Sequence, residues 1–150
     1  GRIFVRDSTL KKLEFTESGL APIFSKPYGW LFVKRDGSTI RTVTFDNGPD
    51  RFVEGLARYT DGAKIGFIDE SGDIAIKARF QRAFPFNKGY SIVCNGCKEA
   101  SDGEQARLKG GLWGCIDRKG RFVFLPRYSE EEIGHKLEEV HRNRTKPAGR

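Results

Sequence analysis

The stretch Trp113-Gly114-Cys115-Ile116-Asp117-Arg118-Lys119-Gly120 decides how the rest of the chain is read. Laid over it, Trp30-Leu31-Phe32-Val33-Lys34-Arg35-Asp36-Gly37 has the same length, begins with Trp and ends with Gly. Ile65-Gly66-Phe67-Ile68-Asp69-Glu70-Ser71-Gly72 is a further copy. Eight residues beyond each closing glycine stands an aromatic: Phe45, Phe80 and Tyr128. The copies at Trp30 and Ile65 also continue alike, through Phe52-Val53-Glu54-Gly55-Leu56-Ala57 and Phe86-Asn87-Lys88-Gly89-Tyr90-Ser91. Coincident fixed spacings identify an internal repeat, which is how stacked supersecondary units declare themselves in a sequence.

Each copy reads as a β-hairpin with a return strand. Trp30 to Val33 predicts a strand. Arg35-Asp36-Gly37, Glu70-Ser71-Gly72 and Arg118-Lys119-Gly120 predict turns, with glycine where φ must be positive. Asp73-Ile74-Ala75-Ile76 and Arg121-Phe122-Val123-Phe124 predict second strands, being rich in residues that suit a pleated surface. Gly55 and Gly89 then lead into short third strands, Leu56-Ala57-Arg58-Tyr59 and Tyr90-Ser91-Ile92-Val93. A lone hairpin is marginal in water, so the copies must stack to shelter their rings. Trp30, Phe45, Phe80, Trp113 and Tyr128 are therefore expected in a shared core. Gly37, Gly55, Gly66, Gly72, Gly89, Gly114 and Gly120 are expected to be structural.

Two segments break the pattern. Asn95 to Gly111 is polar and glycine-containing and reads as an excursion loop, of the size often kept for function. At the C-terminus, Ser129 and Glu132 spell a capping box, and Ile133, Leu137 and Val140 fall on one helix face. Glu130, Glu131 and Glu132 lie at the positive end, with Arg142 and Arg144 at the other, as the helix dipole favours. A helix from Glu130 to about Arg142 is expected. The fold class is thus all-β, mainly antiparallel hairpin repeats, with one C-terminal α-helix. Residues 1–27 are assigned to degenerate capping strands (Ile3-Phe4-Val5, Leu13-Glu14-Phe15). Residues 28–128 are assigned to three repeats (28–62, 63–111, 112–128), and 129–150 to the helix and a basic tail.

Composition sets the bounds. The 150 residues suit one domain; 37% are hydrophobic and 31% charged, neither oily nor disordered in character. No apolar run approaches the roughly 18 residues of a spanning helix, so no membrane insertion is expected. There is no Met, even at position 1, from which we expect the native start to be missing. The charge of +7 favours polyanions in a general way, but +3 of it sits in the last 17 residues, from Gly134. The other charges are interspersed, which argues against nucleic acid as the partner.

The repeat resembles the bacterial WG repeat, whose pattern is Trp-Gly-x-Ile-Asp-x-x-Gly, strand residues, an aromatic, then Phe-x-x-Gly-Leu-Ala. Trp113 to Gly120 matches it almost fully, and Ile65 to Asp69 matches with Ile for Trp. The first copy departs at Leu31 and Lys34 but fits again at Phe52 to Ala57. The resemblance implies a β-rich array serving as an interaction module in bacterial surface, envelope or signalling proteins. It implies no shared catalytic residue.

Candidate chemical groups are few. Cys94-Asn95-Gly96-Cys97 is compatible with a local disulfide, which would favour a periplasmic or envelope setting, or with free thiols. Zinc would need Cys94, Cys97, Cys115 and one of His135 or His141, without the second C-x-x-C that marks such sites. The βαβ context of a redox motif is missing. Asp46 and Asp50 share a turn, and Asp69 and Asp117 recur at one repeat position; turn hydrogen bonds account for them as readily as acid–base chemistry. Phe84 and Phe86, two apart and flanked by Arg79, Arg82 and Lys88, read either as a partner-binding face or as rings buried between repeat units. No catalytic residue, metal or cofactor is assigned. The expected function is a non-enzymatic module that binds a protein or cell-envelope component through repeat loops and the 95–111 excursion. Its rivals are a glycan- or cell-wall-acting enzyme with paired carboxylates and a nucleic-acid-binding basic protein.

Overall fold

Three turns of the same construction organise the chain. The Lys34, Asp69 and Asp117 N–H groups donate to the carbonyls of Ser38, Asp73 and Arg121, each at 2.9 Å. Gly37, Gly72 and Gly120 donate back to Lys34, Asp69 and Asp117, at φ of 90°, 84° and 81°. A side chain at such angles is strained, which is why glycine recurs there. The structure, a computed structural model, describes residues 3–102 and 105–144. Its contacts divide the chain into two compact units, Gly1–Phe80 and Gln81–Arg150.

The first unit contains a one-turn helix α1 (Asp7–Leu10) and strands β1 (Leu20–Ser25), β2 (Gly29–Lys34), β3 (Thr39–Arg41), β4 (Thr44–Phe45), β5 (Gly48–Pro49), β6 (Ala57–Asp61), β7 (Lys64–Ile68) and β8 (Ile74–Phe80). They form antiparallel sheets ordered β1-β2-β3 and β6-β7-β8, with β4 and β5 as a minimal hairpin. The end of β3 runs on to meet β6, through a Thr42–Tyr59 bridge. Leu20, Phe32, Ala57, Tyr59 and Ile68 are buried together, with Ile40, Phe52 and Ala78 packed on them. Burying each such large apolar side chain contributes about 1.5–3 kcal/mol, enough to hold hairpins that would not survive singly.

The N-terminal expectation needs correction. Neither Ile3-Phe4-Val5 nor Leu13-Glu14-Phe15 is a strand; Phe4 makes a single bridge to Ser38. The strand of this region is β1, which follows Gly19, opens with Leu20-Ala21 and pairs with β2 as Ala57–Asp61 pairs with β7. Gly19-Leu20-Ala21 repeats Gly55-Leu56-Ala57, so the signal was present in the sequence. Each sheet therefore takes its first strand from before the Trp position, and the hydrogen-bonded unit is offset from the sequence copy.

The second unit contains β9 (Arg82–Ala83), β10 (Tyr90–Asn95), β11 (Lys98–Asp102), β12 (Gln105–Lys109), β13 (Leu112–Asp117), β14 (Phe122–Tyr128) and α2 (Glu130–Arg144). The sheet order is β14-β13-β10-β9, with β11 and β12 paired as a hairpin. The expected 95–111 loop is thus mostly a β-hairpin. Its sequence lacks apolar alternation, and pairing arises because Asn95 and Leu112 are already partners, which brings the two chain ends together. Gly111 sits at this base, where a Cβ would overlap the Cys97 nitrogen.

Helix α2 follows the expected signals. Ser129 Oγ accepts the Glu132 N–H and Glu132 Oε1 accepts the Ser129 N–H, both at 3.1 Å. Ile133 and Leu137 are buried and Val140 partly so. Ile133 joins Cys94, Cys97 and Trp113, with Ile92, Leu108, Phe124 and Tyr128 around them.

A glycine-dependent bulge distinguishes the copies. In β7–β8 the partners run Ile68↔Ile74, Phe67↔Ile76, Ile65↔Phe80; in β13–β14 they run Ile116↔Phe122, Cys115↔Phe124, Trp113↔Tyr128. Both ladders admit extra residues on the return strand at the same two steps. At Gly66 the bulged strand lies so close that a Cβ would overlap the Ile76 carbonyl; at Gly114 it would overlap the Phe124 carbonyl and meet the Pro126 nitrogen at 2.7 Å. Classic β-bulges bend the strand in this way. The first copy has Leu31 there, and its ladder is regular: Val33↔Thr39, Phe32↔Ile40, Leu31↔Arg41. Without the extra residues, Thr42 reaches the Trp30 carbonyl, and Phe45 is carried past the sheet into β4. Phe80 is 1% exposed and Tyr128 half-buried, while Phe45 is 37% exposed, contrary to its expected core place.

Candidate binding surface

Phe84 and Phe86 part company in the structure. Strand β9 ends at Ala83, so the two-residue alternation expected of an extended segment does not run through Pro85. Phe86 is 1% exposed, which removes it from the expected binding face; Phe84 is 37% exposed. The backbone there is held by the Phe84 N–H donating to the Ile92 carbonyl at 2.9 Å and by buried Ser91, whose Oγ donates to the Phe84 carbonyl at 2.7 Å. The Phe84 ring stacks on Trp113, with centroids 5.8 Å apart. Trp113 is otherwise sealed, its indole N–H donating to the Gly110 carbonyl at 2.8 Å.

The flanking cations are dispersed. Arg82 is half-buried, donates to the Gln81 carbonyl, and lies 3.9 Å from Glu99 on β11. That pair joins the Phe84 region to the base of the β11–β12 hairpin. Lys88 is exposed, and its carbonyl accepts a hydrogen bond from Arg144 at 2.8 Å. Arg79 belongs to the first unit, where its guanidinium lies over the Phe80 ring. Of the five residues, Phe84 and Arg82 remain candidates on the second unit, Phe84 stacked on Trp113 and Arg82 facing Glu99.

The first unit carries further exposed rings. Phe24 and Tyr28 are 55% and 41% exposed, and half-buried Trp30 meets Phe24 edge-on at 5.6 Å. Arg41 lies over Tyr28 and Arg51 over Phe45, at 4.9 and 4.0 Å.

The carboxylates are engaged in structural bonds. One oxygen of Asp69 accepts the Ser71 and Asp73 N–H groups, and one of Asp117 accepts those of Lys119 and Arg121. In the first copy Lys34 replaces this Asp, and Asp36 accepts the Ser38 N–H and hydroxyl instead. Those Ser38 bonds hold the Asp36 carboxyl below its ordinary pKa, with Lys34 assisting. For Asp117, partial burial works upward but is outweighed by the Arg121 and Lys119 bonds, so its pKa is lowered. Asp50 is buried and held by Arg58, through Nη2 at 2.7 Å, Nε at 3.0 Å and the backbone N–H at 2.8 Å.

Cys94 and Cys97 form a disulfide with Cα atoms 6.1 Å apart, and both are buried. Burial pushes the Cys115 thiol up to about 11, which keeps it protonated at neutral pH. His135 lies on exposed α2 beside Glu131, and His141 packs against Tyr90. Among the described residues no three potential ligands gather to hold a metal, and no helix is long and apolar enough to cross a membrane.

Antiparallel hairpins with one recurring turn type, and a single capped C-terminal helix in the second unit, define an all-β repeat protein. The WG containing repeat family matches residues 65–98 and 113–130, the two copies that have the glycine and its bulge. Over those segments the chain is similar to the WG containing repeat, in agreement with the repeat read from its sequence. No curated protein and no solved structure matches it.

Proposed function

We propose that the chain is a non-enzymatic recognition module that binds a protein or cell-envelope component through the second unit, at Phe84, Arg82 and the β11–β12 hairpin. The observation that supports this is Phe84, whose ring is exposed yet stacked on Trp113, with Arg82 two residues away facing Glu99 on the hairpin. A rigid exposed aromatic beside an arginine is the side-chain pair that dominates interface energetics, because little entropy remains to be lost on binding. The engagement of Asp50, Asp69 and Asp117 in backbone and arginine bonds supports binding over acid–base catalysis. Affinity capture from native envelope and cytosolic extracts tests the reading. A chain with residues 98–109 replaced by a Gly-Ser linker, and another with Phe84→Ala, are expected to lose the captured species. Unchanged capture by both would refute this contact surface, and turnover of a cell-wall glycan would refute the non-enzymatic assignment.

A further inference from the structure

Strands β1, β6 and β10 begin alike. The carbonyls of Leu20, Leu56 and Tyr90 accept the Thr16, Val53 and Asn87 N–H groups, each at 2.9 Å. Two residues on, the carbonyls of Arg58 and Ile92 are taken by a segment from earlier in the chain. The Val43 N–H donates to Arg58 at 3.4 Å, and the Phe84 N–H to Ile92 at 2.9 Å. The residue before each donor, Thr42 or Ala83, is buried and bridges Tyr59 or Val93. In the second unit the donor's ring also covers the tryptophan of the sheet, Phe84 stacking on Trp113. Pro22 holds the matching place on β1, and nothing of this kind closes it. Strand β1 is the edge of its sheet, and the alternation that sends the Thr42 N–H to the Trp30 carbonyl turns Phe32, the ladder partner of Pro22, toward β3. The Pro22 carbonyl therefore points out of the sheet, and among the described residues no hydrogen bond reaches it. The chain before β1 goes elsewhere: Phe4 bridges Ser38, and the Val5 N–H donates to the Gly37 carbonyl. Pro22 is exposed, Phe24 is 55% exposed, and the ladder partner of Phe24, Trp30, is half-buried.

We infer that β1 is a docking edge for an extended segment of a partner protein, added antiparallel as a further strand. The joints at β6 and β10 define what fits. The segment bridges Ile23 with a small residue, in the place of Thr42 or Ala83. Its next residue donates its N–H to the Pro22 carbonyl and is aromatic, since it lies on the face of Phe24 and Trp30 as Phe84 lies on that of Trp113. Main-chain bonds give such strand addition its affinity, and alternate side chains give it selectivity. The edge, Leu20-Ala21-Pro22-Ile23-Phe24-Ser25, carries no charged residue to turn a strand away. Pro22 withholds the N–H that indiscriminate edge-to-edge pairing would use, and so selects a segment that brings its own donor. The site lies on the first unit and does not rest on partner binding at Phe84; either can hold if the other fails.

A displayed library of random dodecapeptides, selected on the intact chain, tests this with a local readout. The protein has two tryptophans, so its ¹H–¹⁵N spectrum has two indole cross-peaks, assigned with Trp30→Phe. Enriched peptides are expected to pair a small residue with a following aromatic one, to shift the Trp30 peak and to leave that of Trp113 in place. Synthetic forms of them separate strand addition from ring contact alone. N-methylation of the aromatic residue's amide, the donor to Pro22, is expected to weaken binding about tenfold. N-methylation of the preceding amide, which faces away from β1, is expected to weaken it far less. Phe24→Ser is expected to weaken every enriched peptide, while an unmoved Trp113 peak reports that the fold is intact. The inference is overturned if the two N-methylated forms bind alike. It is also overturned if no enriched peptide moves the Trp30 peak, even where some move that of Trp113 and so support the Phe84 surface. A Trp30 shift with protein concentration alone would overturn it too, making a second copy the occupant.

Discussion

Leu31 and Gly114 stand at the same repeat position, and the contrast between their surroundings explains most of what differs along the chain. Gly114 lets the return strand fold over it, the strand gains residues, and the aromatic Tyr128 arrives opposite Trp113. Leu31 fills that space with its own side chain, the ladder stays regular, and Thr42 arrives opposite Trp30 instead. That one side chain thereby decides whether the return strand carries its aromatic or a threonine opposite the tryptophan. The first copy compensates by polar means: Thr42 Oγ1 accepts the Asp50 N–H at 2.9 Å, and Asp50 clamps Arg58 on β6. The glycine of the repeat is thus a clearance requirement for a bulge.

Breaking the polar substitute should have the largest effect. Asp50→Ala leaves Arg58, 12% exposed, without its buried carboxylate, and is expected to cost about 3–5 kcal/mol in urea unfolding. Breaking the bulge comes next: Gly114→Ala forces a Cβ into the Phe124 carbonyl, with an expected loss of about 3 kcal/mol. Since Leu31 already fills the matching space in the first copy, Leu31→Ala tests the opposite sign of requirement; a gain in stability there would contradict the comparison. Removing the cap of α2 with Ser129→Ala should cost about 1 kcal/mol by the same measurement. The smallest effect concerns the turns. Asp117 has a lowered folded-state pKa, so its contribution is fully present above its unfolded value near about 4 and is lost as pH falls through the folded one. Asp117→Asn should lower the urea midpoint at pH 7 and leave it nearly unchanged at the acid end of that range. Iodide quenching of Trp fluorescence sharpens the contrast directly, with Trp30 quenched and Trp113 protected.

The hairpin turns, the central strands and α2 were legible because their signals are local. Glycine at a positive φ, apolar runs and the Ser129/Glu132 spelling each act within a few residues. The burial of Phe86 without Phe84, and the hairpin within 95–111, were not legible for the complementary reason. Phe86 is buried because Pro85 and the Ser91 bond turn the chain after β9, and β11 pairs with β12 because β10 and β13 bring their ends together. Pro85 is local, but the Ser91 bond and the pairing of β10 with β13 are made by residues outside the segments they govern.

The sequence by itself determined the repeat, its turn chemistry, the antiparallel class and the terminal helix, since each follows from spacing and backbone preference. Only the tertiary structure decided which rings are covered. Whether a tryptophan is sealed depends on strand register and on whether a ring from a distant segment, Phe84 for Trp113, comes to lie on it. Packing of that kind is a property of several segments at once, and no one of them encodes it alone.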